Sequence, residues 1–194
     1  KNKALGDIIN ANFNVGSYVP GWHPYEDYSQ LYACRKELGG GVLLTEIHEI
    51  DLCYWFFGIP SALGCFGGKY SQFDIDVEDT ANMIFHYSTF NVSVNMSFMQ
   101  KYNQRDLYIS GTKGYVKWNQ DENRLLYFDY KSNQELVEED PNYSNDDMFL
   151  SQATYFLNKY NIADNKKHLD IAKSSLIIVN AAKKSIKDGK IVCI

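Results

Sequence analysis

The amino-acid order predicts an α+β fold: a large, mostly antiparallel β-sheet with helices packed on one face. Three observations carry that expectation. A run of short alternating segments fills the middle of the chain, joined by links too short for parallel crossovers. Segments of helical length and apolar density lie on both sides of that run. With 194 residues, 45% of them hydrophobic, the chain can bury one sizeable core, and no repeat or linker divides it. Residues 1–194 are therefore read as one domain.

The first element alternates Ile9, Ala11, Phe13 and Val15 against Asn10, Asn12 and Asn14, a period of two that makes a strand with one buried face. It opens almost at Lys1, as though the chain had been cut from a longer one. Two prolines and a glycine keep Val19-Pro20-Gly21-Trp22-His23-Pro24 irregular. A short helix is expected from Tyr28 to Leu38, stopping at Gly39-Gly40-Gly41. Val42 to Phe57 is too long and too apolar for a typical strand, and Gly58-Ile59-Pro60 closes it, so it reads as a mostly buried helix. Strands follow at 61–71, 80–87 and 90–98, the last placing Phe90, Val92, Val94, Met96 and Phe98 opposite Asn91, Ser93, Asn95 and Ser97. Further strands are expected at 106–110, at 115–118 after the turn Gly111-Thr112-Lys113-Gly114, and at 125–130. Ser144 with Asp147 three residues on resembles a capping box and starts a helix to about Tyr160. The last helix carries Leu169, Ala172, Leu176, Val179, Ala182 and Ile186 on one stripe. Lys183, Lys184 and Lys187 suit its C-terminus, Gly189 ends it, and a final strand is expected at 191–194.

Composition excludes several classes. Net charge is −5, and no Lys/Arg stripe could neutralise phosphates, so no nucleic-acid partner is expected. No apolar stretch is long enough to span a bilayer, and no signal region follows the first lysines, so no membrane role is expected. Cys34, Cys53, Cys65 and Cys193 are widely spaced, which suggests free thiols in a reducing cytoplasm rather than a zinc site or disulfide framework. Three matches to the glycosylation triplet, at Asn91, Asn95 and Asn142, read as chance. Fifteen Tyr and eleven Phe suit a half-buried sheet, and exposed rings suit a sugar-like ligand.

The densest polar constellation is Gly39-Gly40-Gly41-Val42-Leu43-Leu44-Thr45-Glu46-Ile47-His48-Glu49-Ile50-Asp51. On one continuous helix, Thr45, His48, Asp51, Leu52 and Trp55 share a face. A carboxylate three residues from an imidazole can fix its tautomer and leave the other nitrogen to exchange a proton with a ligand hydroxyl. The alternative is a hydrogen-bonded core histidine. Leu52 stands where a zinc-protease helix would need its second His, so no metal is expected. In the loop Gly21-Trp22-His23-Pro24-Tyr25-Glu26-Asp27-Tyr28, rings could stack on a sugar and Glu26 and Asp27 could accept hydroxyl hydrogen bonds; a packed loop with a Trp plug is equally open. No G-x-G-x-x-G, phosphate loop or nucleophile elbow occurs.

Trp22-His23-Pro24-Tyr25-Glu26-Asp27-Tyr28, Arg35-Lys36-Glu37-Leu38-Gly39-Gly40-Gly41 and Leu44-Thr45-Glu46-Ile47-His48-Glu49-Ile50-Asp51 together resemble the C-terminal half of the glucose–fructose oxidoreductase / inositol dehydrogenase (Gfo/Idh/MocA) family. The late Gly111-x-x-Gly114 turn and Ala181-Ala182-Lys183-Lys184-Ser185 before Gly189-Lys190 agree with it. The resemblance implies a parent NAD(P)-dependent oxidoreductase acting on a sugar, nucleotide sugar or related polyol. It implies a separate Rossmann domain that carries the cofactor and a catalytic Lys in a Glu-Lys-Pro stretch, which is missing here. The domain alone is then expected to bind no cofactor and turn nothing over. His48 falls on the family's catalytic histidine, and Thr45 replaces the usual Asp, which brings Asp51 and Glu46 forward as substitutes. Trp22, His23, Tyr25, Glu26, Arg35 and Glu46 would position the substrate. The open sheet face would pair copies of the chain into a homo-oligomer. A second reading is a non-catalytic oligomerisation or small-ligand-binding domain, motivated by the uncharged polar face of Asn91, Ser93, Asn95 and Ser97.

Overall fold

The computed structural model describes residues 4–140, 142–159 and 165–194. The first strand, β1, spans Ile8–Tyr18 and leads into four 3-10 turns at Val19–Gly21, Tyr28–Gln30, Tyr32–Cys34 and Lys36–Leu38. Helices α1 (Val42–Thr45) and α2 (Ile47–Phe57) follow. Then come β2 (Ala62–Gly68), β3 (Thr80–His86), β4 (Asn91–Ser97), β5 (Met99–Gly111), β6 (Gly114–Asn119), β7 (Arg124–Asp129) and β8 (Gln134–Glu139). Helices α3 (Asn145–Lys159) and α4 (Asn165–Asp188) and the short β9 (Val192–Cys193) close the chain.

The strands form one sheet in the order β8-β7-β6-β5-β1-β4-β3-β2-β9. Every neighbouring pair is antiparallel except β1 with β4, which run parallel. That exception has a topological cause. β1 and β4 are joined by a crossover that includes α1 and α2, whereas most of the later strands are joined by short turns.

Register places the core. Leu63, Phe85, Val92, Ala11 and Ile109 stand side by side across five strands, and Cys65, Met83, Val94, Phe13 and Leu107 form the next row. All ten are buried, under α1, α2 and α4. A third row, Ala81, Met96 and Val15, ends at Arg105. Alternation sends Asn10, Asn12, Asn14, Asn82, Asn95 and Asp106 to the opposite face. There Asn95 Nδ2 donates to Asn14 Oδ1 at 2.9 Å and Asn14 Nδ2 to Asp106 Oδ1 at 2.8 Å.

Four expectations need correction. The helix at Tyr28–Leu38 is three separate 3-10 turns, because Leu31 (ψ 144°) and Arg35 (ψ 126°) are extended and interrupt it. The helix at Val42–Phe57 breaks at Glu46 (φ −95°, ψ 27°), so Thr45 does not share a continuous helical face with His48. On α4 the buried side chains are Ser174, Ser175, Ile178, Val179, Ala181, Ala182 and Ser185, while Leu169 and Leu176 are exposed. Close approach to β2 favours small residues there, and Ser185 Oγ accepts from the Cys65 N–H at 2.9 Å. Finally β8, rich in glutamate and exposed throughout, carried no buried-face pattern to reveal it. The helix expected to begin at Ser144 starts at Asn145, capped through Ser144 Oγ, which accepts from the Asp147 N–H at 3.1 Å. Its expected end at Tyr160 lies outside the described residues.

Candidate functional site

The triple glycine is required by its surroundings. Gly39 takes φ +80° to end a 3-10 turn, and Gly41 takes φ +107°, ψ 150°, a region reserved for glycine. A Cβ on Gly41 would overlap the Glu78 carboxylate. The turn thus delivers Val42, whose N–H donates to the Glu78 carbonyl at 2.9 Å, to the start of α1 in a fixed place.

The break at Glu46 then sets the site. It turns the Glu46 side chain towards β1, where Ser17 Oγ donates to Oε1 at 3.4 Å. Burial raises the Glu46 carboxyl above its ordinary range, and Ser17, His48 and Arg105 oppose that rise. One turn on, Glu49 is 1% exposed and accepts from Arg105 Nε at 2.6 Å. Its carboxyl is also raised by burial, with Arg105 pulling it back. His48 lies between these two acids on the exposed side of α2 and makes no side-chain hydrogen bond among the described residues. It is not a sealed core histidine. Thr45 Oγ1 is buried without a hydrogen-bond partner among the described residues.

The other expected site residues are distributed differently. Asp51 Oδ1 accepts from Ser175 Oγ at 2.8 Å, which ties α2 to α4 instead of holding the imidazole. Trp22 packs edge-on against Phe98 at 5.6 Å between ring centroids, half in the core. His23 Nδ1 and Tyr25 Oη are 3.3 Å apart on an exposed loop beside exposed Glu26. Asp27 caps the next turn, accepting from the Ser29 N–H at 2.9 Å. Arg35 Nη2 lies 3.6 Å from Asp74 Oδ2. No hydrogen bond or ion pair joins this loop or Arg35 to Glu46 or His48 among the described residues.

Sequence reading missed Ser17, Glu49 and Arg105. For Arg105 a signal existed: it stands two and four residues before Leu107 and Ile109, so a guanidinium occupies the buried-face register of β5. A charge in that register needs a buried partner, and Glu49 is it.

Chemically the cluster offers an accessible imidazole, a carboxyl raised above its ordinary range by burial and an anchored guanidinium. No group of His, Cys, Asp and Glu among the described residues could hold a metal ion. No strand–glycine-turn–helix unit is present among the described residues. β1 leads into 3-10 turns rather than a glycine turn and helix, and Gly39–Gly41 opens a helix of four residues only. No helix among the described residues is long and apolar enough to cross a membrane.

The chain belongs to the GFO/IDH/MocA C-terminal domain family, whose model matches residues 1–117. Among solved structures it is similar to levoglucosan dehydrogenase in complex with NADH and levoglucosan (14% identity, TM-score 0.77, covering 99% of this chain and 60% of that one). It is similar to myo-inositol 2-dehydrogenase from Lactobacillus plantarum (21%, TM-score 0.71, covering 100% and 58%). It is also similar to the WlbA dehydrogenase from Bordetella pertussis in complex with NADH and UDP-GlcNAcA (19%, TM-score 0.70, covering 99% and 57%). At these identities the likeness is one of fold, and the chain spans less than two thirds of each of these proteins. No match to a curated protein was found.

Proposed function

We propose that this chain is the substrate-side domain of an NAD(P)-dependent oxidoreductase acting on a sugar, nucleotide sugar or related polyol. The observation that carries the reading is the open imidazole of His48 set between Glu46 and the Glu49–Arg105 pair, on a fold shared with levoglucosan and myo-inositol dehydrogenases. In this reading NAD(P) belongs to a separate nucleotide-binding domain, as the family membership suggests. The work of this chain is binding, orientation and proton transfer.

In that role a ring nitrogen of His48 accepts the proton of the hydroxyl being oxidised, and returns it in the reverse direction. The Glu46 carboxyl, which accepts from Ser17 Oγ through Oε1, offers its other oxygen to a neighbouring hydroxyl. Asp51, committed to Ser175, fixes the direction of α2. The exposed rings of His23 and Tyr25, with Glu26, are available to line the outer part of the cleft, while Trp22 and Arg35 hold that loop in place. The unpaired cysteines fit a cytoplasmic setting.

The test is His48→Ala in the parent oxidoreductase, assayed for NAD(P)-linked turnover over a panel of polyols and nucleotide sugars. Loss of a general base should lower kcat/KM by about 10²–10⁴-fold. A loss within a few-fold would make His48 an ordinary surface residue.

A second role rests on the open face of the sheet. Its hydrogen-bonded asparagine ladder is flanked by Phe66, Ile84 and Ile191, which are 80%, 50% and 75% exposed. We propose that this face pairs with a second copy of the chain around a two-fold axis. Light scattering on the eluting protein should give a dimer or higher species, and a monomer at high concentration would end this part of the reading.

A further inference from the structure

We propose that Arg105 reads a carboxylate on the ligand, which makes the preferred substrate of the His48 cleft a sugar acid rather than a neutral polyol. This inference rests on the His48 reading given above and narrows it.

Three features of Arg105 point this way. Its Nε donates to a buried carboxylate, Glu49 being 1% exposed and the N···O distance 2.6 Å. The plane of the guanidinium is further confined by Trp118, whose ring centroid lies 6.0 Å from Cζ. Its side chain nevertheless remains 35% open to solvent, and its Nη nitrogens make no hydrogen bond among the described residues. The four Nη–H donors of this permanently charged, partly exposed group are therefore not engaged by a hydrogen bond among the described residues. A fork of that kind matches the two oxygens of a carboxylate.

The surrounding charge allows it. Glu49 and Arg105 together are neutral, so the recognition rests on the direction of the unengaged Nη–H donors rather than on net charge. Burial disfavours charge on Glu46, so its repulsion of an incoming anion is the weaker for it. A residue that served only to neutralise Glu49 would need one contact and could be covered completely. Arg105 is not covered.

The experiment compares D-glucuronate with D-glucose at constant ionic strength, following the 15N signals of this chain. Glucuronate should bind about tenfold more tightly or better, and should shift the Arg105 Nε–H together with the amides of residues 46–49. The double variant Arg105→Gln/Glu49→Gln removes both charges, so no buried carboxylate is left unpaired, and it should bind the two sugars alike. Equal affinity of the unaltered chain for both sugars at residues 46–49, or a preference that survives in the double variant, overturns the inference and leaves the polyol cleft standing. If neither sugar moves residues 46–49, the cleft itself falls and the inference with it.

Discussion

Removing Arg105 should cost far more stability than neutralising Glu49, and the asymmetry can be worked from their burial. Arg105→Ala strands a carboxylate that is 1% exposed. Breaking a fully buried pair in this way costs about 3–5 kcal/mol. Arg105 is itself 35% exposed, so screening by water lowers the expectation to roughly 2–4 kcal/mol. Glu49→Gln leaves an amide oxygen that still accepts from Nε and a guanidinium that can turn to water, at about 0.5–1.5 kcal/mol. The pH dependence has a definite sign. Burial raises the Glu49 carboxyl and Arg105 draws it back, so without Arg105 it rises further above the usual 4.5. A raised carboxyl favours the folded state when protonated. The deficit of Arg105→Ala is therefore complete at neutral pH and fades as pH falls towards 4.5. Urea unfolding followed by circular dichroism at pH 7.5 and near pH 5 measures both effects. If Glu49→Gln proves as costly as Arg105→Ala, or if the Arg105→Ala deficit is the same at both pH values, Glu49 is not a buried charge held by this arginine.

The triple glycine and Glu46 give two further expectations. Gly41→Ala must adopt φ +107°, ψ 150° and displace the Glu78 carboxylate, costing roughly 3 kcal/mol or more, whereas Gly39→Ala at φ +80° meets nothing within 4 Å and costs about 1 kcal/mol. Thermal melts that rank the two variants in the opposite order would refute the account of the turn. Glu46→Gln removes a carboxylate that burial penalises, so it should unfold later than the unaltered chain at pH 7.5, with the gap closing as pH falls towards 4.5. An unchanged or earlier midpoint at pH 7.5 would mean that the carboxylate is well hydrated.

Residue order alone determined most of the fold. Period-two alternation from Ala11 to Val15 and from Val92 to Met96 fixed which side of each strand is buried, and short links fixed antiparallel pairing, because both follow from local geometry. It also singled out the segment from Gly39 to Asp51, where three glycines precede a dense set of polar residues on an apolar helix. Tertiary structure decided what those residues touch. The break at Glu46 and the engagement of Asp51 by Ser175, 124 positions away, depend on how α2 meets β1 and α4. No window of sequence contains both partners. The same holds for Glu49 and Arg105, 56 positions apart. Their pairing exists only because the parallel register of β1 with β4, and of β5 alongside, ends a row of core side chains at the arginine. Periodicity is written into neighbouring residues, whereas a buried ion pair is created by the register of distant strands.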